Sequence, residues 1–85
     1  MKLIRTESFK RDWRRLPQDI KPRARKALHL LVTDIKHPSL GIKKVQGTKT
    51  IWEGRVTLRY RLTFEIRKGA FILRRIGSHK TMDIP

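Results

Sequence analysis

From Phe9 to Ile35 apolar residues recur every three or four positions, and from Leu40 onward they alternate with polar ones. The first spacing belongs to one face of a helix, the second to a strand with one buried side. Phe9, Trp13 and Leu16 mark a first helix, capped by Thr6 or Ser8 and ended at Leu16-Pro17, because proline disfavours α geometry in the residue before it. A second helix is predicted from Asp19, with Pro22 in its first turn, where a missing N–H costs least. Ile20, Ala24, Ala27, Leu28, Leu31 and Ile35 form its buried stripe, and His37-Pro38 is its expected end.

The opening Met1-Lys2-Leu3-Ile4-Arg5 reads as a short strand. Three more are predicted after the helices: residues 44–57 broken by a turn at Gly47-Thr48-Lys49, then Arg59–Arg67, then Ala70–Ser78. Lys68-Gly69 between the last two predicts an antiparallel hairpin. The order is β-α-α-β-β-β, a single α+β domain over residues 1–85 with two N-terminal helices packed on one face of a mainly antiparallel sheet. A chain this short buries only about three fifths of its unfolded surface, enough for one core.

Alternation within the third predicted strand separates Tyr60, Leu62, Phe64 and Ile66 from Arg59, Arg61, Thr63, Glu65 and Arg67. The even set packs on the helices, which puts Arg61 on the uncovered face. Trp52 and Val56 divide from Glu53 and Arg55 in the same way, and Arg75, Gly77 and His79 share a parity on the last strand. The expected result is a polar floor in which Glu53, Arg55, Arg61 and His79 could supply a base, cations and an acid, the groups that break an RNA phosphodiester without a metal. A solvated face of alternating charges has the same pattern. His29 and His37 lack a carboxylate at ligand spacing and read as structural or surface residues, with no metal implied. Trp13 reads as core, and Trp52 as core in preference to a stacking platform.

Charge narrows the choice. There are 22 Lys and Arg against 7 Asp and Glu, a net charge of +15. Residues 1–37 carry eleven basic and four acidic side chains and residues 38–85 eleven and three, so the excess belongs to the whole domain. Self-repulsion on that scale is tolerated where a polyanion such as nucleic acid offsets it. Cysteine is absent, which excludes a disulfide framework and a cysteine nucleophile. With neither a secretory segment nor an apolar run long enough to cross a bilayer, the expected location is the cytoplasm, with no membrane partner.

The segments His37-Pro38-Ser39-Leu40, Lys43-Lys44-Val45, Trp52-Glu53-Gly54-Arg55-Val56, Tyr60-Arg61-Leu62-Thr63-Phe64-Glu65 and Arg75-Ile76-Gly77-Ser78-His79 resemble, in order and spacing, the RelE/ParE superfamily of type II toxins. The resemblance spans nearly the whole chain. It implies a RelE-like fold and, in the RelE-like branch, a ribosome-dependent endoribonuclease (mRNA interferase) that cuts messenger RNA by 2′-OH attack with no cofactor. Arg61 then matches the arginine set against the scissile phosphate, His79 an acid or base, Glu53 the base and Arg55 a second phosphate-binding arginine. Lys43 and Lys44, with Arg59, Arg75 and Lys80, would hold RNA backbone. The partners implied are the ribosome, messenger RNA and a cognate antitoxin, acidic and encoded nearby, folding across the sheet and helices. No aromatic follows Phe71, and Lys80 stands directly after His79 where relatives often carry an acid. Two other readings stay open: a ParE-like inhibitor of DNA gyrase that cuts nothing, and a cationic nucleic-acid-binding module without catalysis.

Overall fold

Thr6 sets the start of the first helix by leaving the strand before it with extended backbone and accepting a hydrogen bond from Phe9 N–H at 3.2 Å through its hydroxyl. In the computed structural model, which describes residues 1–81 and 84–85, the chain runs β1 (Lys2–Arg5), α1 (Glu7–Arg15), α2 (Ile20–Thr33), β2 (Lys43–Lys44), β3 (Trp52–Arg55), β4 (Tyr60–Arg67) and β5 (Ala70–Ser78). Short 3-10 turns occupy Pro38–Leu40 and His79–Thr81. The predicted α+β order is borne out, with the segment before Gly47 appearing as a separate two-residue edge strand. No helix among the described residues is long and apolar enough to cross a membrane.

The second helix is shorter than its apolar stripe suggests. It ends at Thr33, not His37, with Asp34 N–H bonded to Leu30 C=O at 2.7 Å. Thr33 turns its hydroxyl back onto His29 C=O at 2.8 Å, and the β-branched pair Val32-Thr33 followed by Asp34 favours leaving the helix before Pro38 has any effect. Ile35 still packs against the core from beyond the helix end.

All five strands form one sheet in the order β1-β5-β4-β3-β2, with β1 parallel to β5 and the other pairs antiparallel. Lys68 and Gly69 both take positive φ, 44° and 77°, the geometry of a two-residue turn whose twist matches its flanking strands. Phe9, Ala24, Ala27, Leu28 and Leu31 from the helices meet Leu62, Phe64, Phe71, Leu73 and Ile76 from the sheet in one buried cluster. Phe64 and Phe71 pack edge to face, ring centroids 5.5 Å apart.

Two irregularities position the far end of β5. Thr63 pairs with Arg75 and Phe64 with Leu73, so Arg74 is an extra residue, a bulge that the alternation of the sequence does not announce. Strand β1 reaches only as far as Arg5 opposite Leu73, and α1 covers the edge of β5 beyond it. Thr6 Oγ1 donates to Leu73 C=O at 2.8 Å, and the buried Asp12 accepts from Ile76 N–H at 3.0 Å and from Arg75 Nε and Nη2 at 2.7 and 3.1 Å. A carboxylate from a helix thus supplies an acceptor where β1 has stopped.

Candidate functional site

The register of β3, β4 and β5 lines up Arg55, Arg61 and Gly77 in one row across the sheet. Gly54 pairs with buried Leu62, and a Cβ on Gly54 would lie 3.0 Å from Ile42 Cδ1, so Gly54 and Leu62 face the core and Arg55 and Arg61 the opposite side. Residues directly opposed in an antiparallel pair have Cβ atoms about 5 Å apart. The two heads then diverge. Arg61 Nη1 donates to Thr57 C=O at 3.0 Å, in the loop joining β3 to β4, whereas the Arg55 guanidinium lies against Gly41. What remains is a pair of cationic arms with common footing and separated heads.

Glu53, two residues before Arg55 and on the same face, is half-buried and pairs with Lys43 on β2, Lys43 Nζ to Glu53 Oε1 at 3.2 Å. Lys43 and Lys44 do not share a surface. Neighbouring strand residues point to opposite faces, and Lys44 lies over the Trp52 ring, 5.0 Å from its centroid. Trp52 itself packs half-buried against the core, as expected. His79 is exposed and begins the turn just past Ser78, which is opposite Tyr60. It therefore lies two residues along the chain from Gly77, the partner of Arg61. Arg59 and Lys80 are exposed near the same end of the sheet.

The expected polar floor is smaller than its pattern. Thr63 and Glu65 belong to the arginine face but are only 1% and 7% exposed. Ile84 and Pro85 lie back toward Thr63 and the arginines of β5: Pro85 C=O accepts from Thr63 Oγ1 at 3.4 Å and from Arg74 Nε at 3.1 Å, and Ile84 C=O accepts from Arg75 Nη1 at 3.1 Å. Glu65 is gripped by Arg67 at 3.0 Å and Arg74 at 2.8 Å. The Arg67 hydrogen bond, then that of Arg74, holds its carboxyl below the usual range against the opposing pull of desolvation. Arg75, expected among the RNA contacts, is instead bound bidentately to Asp12, whose carboxylate raises the pKa of the guanidinium. Its charge is answered inside the fold.

Residues 3–82 match the family model of the ParE toxin of type II toxin-antitoxin system, parDE. The chain belongs to that family. No curated protein matches its sequence. Solved toxin structures share its fold: YafQ from E. coli has a TM-score of 0.81 at 13% identity, covering 95% of this chain and 96% of that one. The RelB-RelE antitoxin-toxin complex from Methanococcus jannaschii gives 0.76 at 21% identity, covering 93% of each chain. A YoeB/ParE toxin from Agrobacterium tumefaciens gives 0.77 at 16% identity, covering 93% of this chain and 99% of that one.

For this member of the toxin family, sequence patterns identified the cross-strand arginines but not what aims them. Thr57 orients Arg61 through its carbonyl, while its hydroxyl accepts from Arg59 and Tyr60 N–H groups at 3.3 and 3.2 Å. A backbone carbonyl carries no side-chain signal; only the Gly-free stretch Arg55-Val56-Thr57-Leu58-Arg59 hints at a loop built on side-chain bonds. Asp12 was equally silent, being one of two acidic residues, with Glu7, in a basic helix. His29 is exposed, and His37 uses Nδ1 to accept from Ser39 N–H at 3.1 Å at the start of a 3-10 turn, the structural role expected of it.

Proposed function

We propose that this toxin is an endoribonuclease that cuts messenger RNA on the ribosome, in the cytoplasm, by metal-independent attack of the 2′-hydroxyl on the adjacent phosphodiester. One observation carries the reading: Arg55 and Arg61 are opposed on one face, with Glu53 on the same strand as Arg55 and His79 at the end of the next strand. Like charges so placed destabilise a free sheet, and a phosphate that drew the two heads together would relieve that repulsion. In the reaction the 2′-oxygen forms a bond to phosphorus as the bond from phosphorus to the 5′-oxygen breaks. Glu53 takes the 2′-OH proton, the arginines hold the charge that gathers on the non-bridging oxygens, and His79 protonates the leaving 5′-oxygen. The products are a 2′,3′-cyclic phosphate and a 5′-hydroxyl. Lys43, exposed beside Glu53, and Arg59 and Lys80 at the strand ends hold the backbone on either side.

A cognate antitoxin completes the proposal. RelB-RelE from Methanococcus jannaschii and DinJ-YafQ from E. coli are toxin-antitoxin complexes of this fold, and the net charge of +15 favours an acidic partner. The ParE description of the matching family favours a second reading, inhibition of DNA gyrase without cleavage. One experiment separates them: translate a defined messenger in a purified system with the toxin added, map the 5′ ends, and assay gyrase supercoiling in parallel. Ribosome-dependent cuts that disappear in Arg61→Ala and His79→Ala are the expected result. Intact messenger with blocked supercoiling would overturn it in favour of gyrase.

A further inference from the structure

Leu58 lies in the loop that joins β3 to β4 and is 80% exposed, more than any other large apolar side chain among the described residues. It shares the sequence parity of Val56 and Tyr60, both packed against the core, yet the loop holds it out. The loop is closed by its own hydrogen bonds: Val56 N–H and Thr57 N–H donate to Tyr60 C=O at 2.9 and 3.2 Å, and the Thr57 hydroxyl accepts from the N–H groups of Arg59 and Tyr60. Single exposed leucines are ordinary on protein surfaces. This one is distinguished by its attachment, because the carbonyl to which Arg61 donates, that of Thr57, belongs to the peptide group joining Thr57 to Leu58. That group is planar and trans, with its oxygen on the same side as the Leu58 Cα, so the Arg61 head and the root of the Leu58 side chain are tied to one rigid unit.

We infer that Leu58 is a wedge: it inserts between the bases beside the phosphate held by Arg61 and opens the stack there. The inference deepens the nuclease reading and rests on it for the identity of the strand. Attack by the 2′-hydroxyl requires the 2′-oxygen, the phosphorus and the 5′-oxygen to approach one line, and a stacked A-form strand keeps them away from it. Something must therefore part the two bases, and aliphatic side chains inserted at a base step are a known means of doing so in nucleic acids. The loop meets the other demands of that role. Residues 54–64 carry Arg55, Arg59 and Arg61 and no acid, so whatever covers Leu58 also meets three positive charges, as a polyanion would. Because the Thr57 carbonyl orients Arg61 and its peptide group carries Leu58, gripping the phosphate and parting the bases are coupled in one loop. Leu58 touches a base and not the reacting atoms, so it is a positioning residue.

The test places 2-aminopurine, which brightens when it leaves a stack, at successive positions of a short messenger held on the ribosome, with 2′-deoxy sugars there so that no nucleophile is present. Adding the full-length protein is expected to raise emission at one position or two adjacent ones. Leu58→Ser should abolish the rise, Leu58→Met should keep it, and His79→Ala should keep it as well, since parting the bases precedes proton transfer. On an all-ribose messenger Leu58→Ser should lower kcat by about 10–10²-fold with KM changed about twofold or less, the pattern of lost positioning. Ile4→Ser, which removes another exposed apolar side chain on the far strand β1, should change either readout about twofold or less. Wild-type emission and rates in Leu58→Ser, no rise at any position, or equal losses in Ile4→Ser would each overturn the wedge. Failure of the two readings is distinguishable: a Leu58-dependent rise without cleavage sinks the nuclease alone, and cleavage that Leu58→Ser leaves untouched sinks the wedge alone.

Discussion

Arg55 and Arg61 stand directly opposite each other on neighbouring antiparallel strands, and each sends its guanidinium away from the other, one to Gly41 and one to the Thr57 carbonyl. Opposed like charges destabilise a sheet by about 0.2–1 kcal/mol. Arg55→Ala is therefore expected to make the free protein slightly more stable while weakening RNA binding, a combination that a purely structural arginine would not give. Urea melts at low and high salt check the first half, since screening should shrink the gain. Anisotropy titrations with RNA check the second.

Removal of Arg61 acts on the reaction more than on the fold. Arg61→Ala should lower kcat by about 10²–10³, the range for losing one preorganised donor to a developing anion. Arg61→Lys should recover little of this, because a point charge cannot both reach Thr57 C=O and present a planar fork to phosphate. His79→Ala should cost about 10²–10⁴ in kcat. Single-turnover cleavage, with circular dichroism to verify folding, measures all three, and wild-type rates in His79→Ala would exclude the acid assigned to it.

Asp12 is the structural counterpart. Asp12→Ala leaves Ile76 N–H and the partly buried Arg75 guanidinium without their shared acceptor, and should cost about 2–3 kcal/mol. Asp12→Asn should cost less, since a carbonyl oxygen can still accept one of these bonds. Denaturant unfolding of both variants gives the comparison, and a loss below about 0.5 kcal/mol for the alanine would show that the clasp adds little.

Acid should loosen the covered part of the sheet first. Arg67, with Arg74, holds the Glu65 carboxyl below its ordinary value of 4.5. A depressed carboxylate contributes stability that is full above the unfolded-state pKa and lost as pH falls through the lower folded-state value. Stability of the native protein should therefore drop more steeply than that of Glu65→Gln between about pH 5 and 3. Parallel slopes in the two proteins would remove Glu65 from the account.

Much of the fold is written in short-range patterns. Thr6, Leu16-Pro17 and Asp19 delimit the helices, Lys68-Gly69 forms the hairpin turn, and the alternation around Arg61 correctly sets the face on which it projects. Each depends on neighbours within a turn or a strand, where the period of side-chain direction is a property of the local backbone. Glu53 and Arg55 share that face for the same reason.

Tertiary structure decided what lies on that face. Thr63 and Glu65 have the alternation of an open floor, yet Thr63 donates to Pro85, twenty-two residues further along, Glu65 is held by Arg67 and Arg74, and the bulge at Arg74 changes the count along β5. Arg75 was diverted to Asp12, sixty-three residues away in sequence. Alternation gives direction within a strand but not which distant segment arrives to cover it or to neutralise its charge. The diversion of Arg75 depends on helix α1 meeting the edge that β1 leaves unpaired, where the Ile76 N–H must find an acceptor.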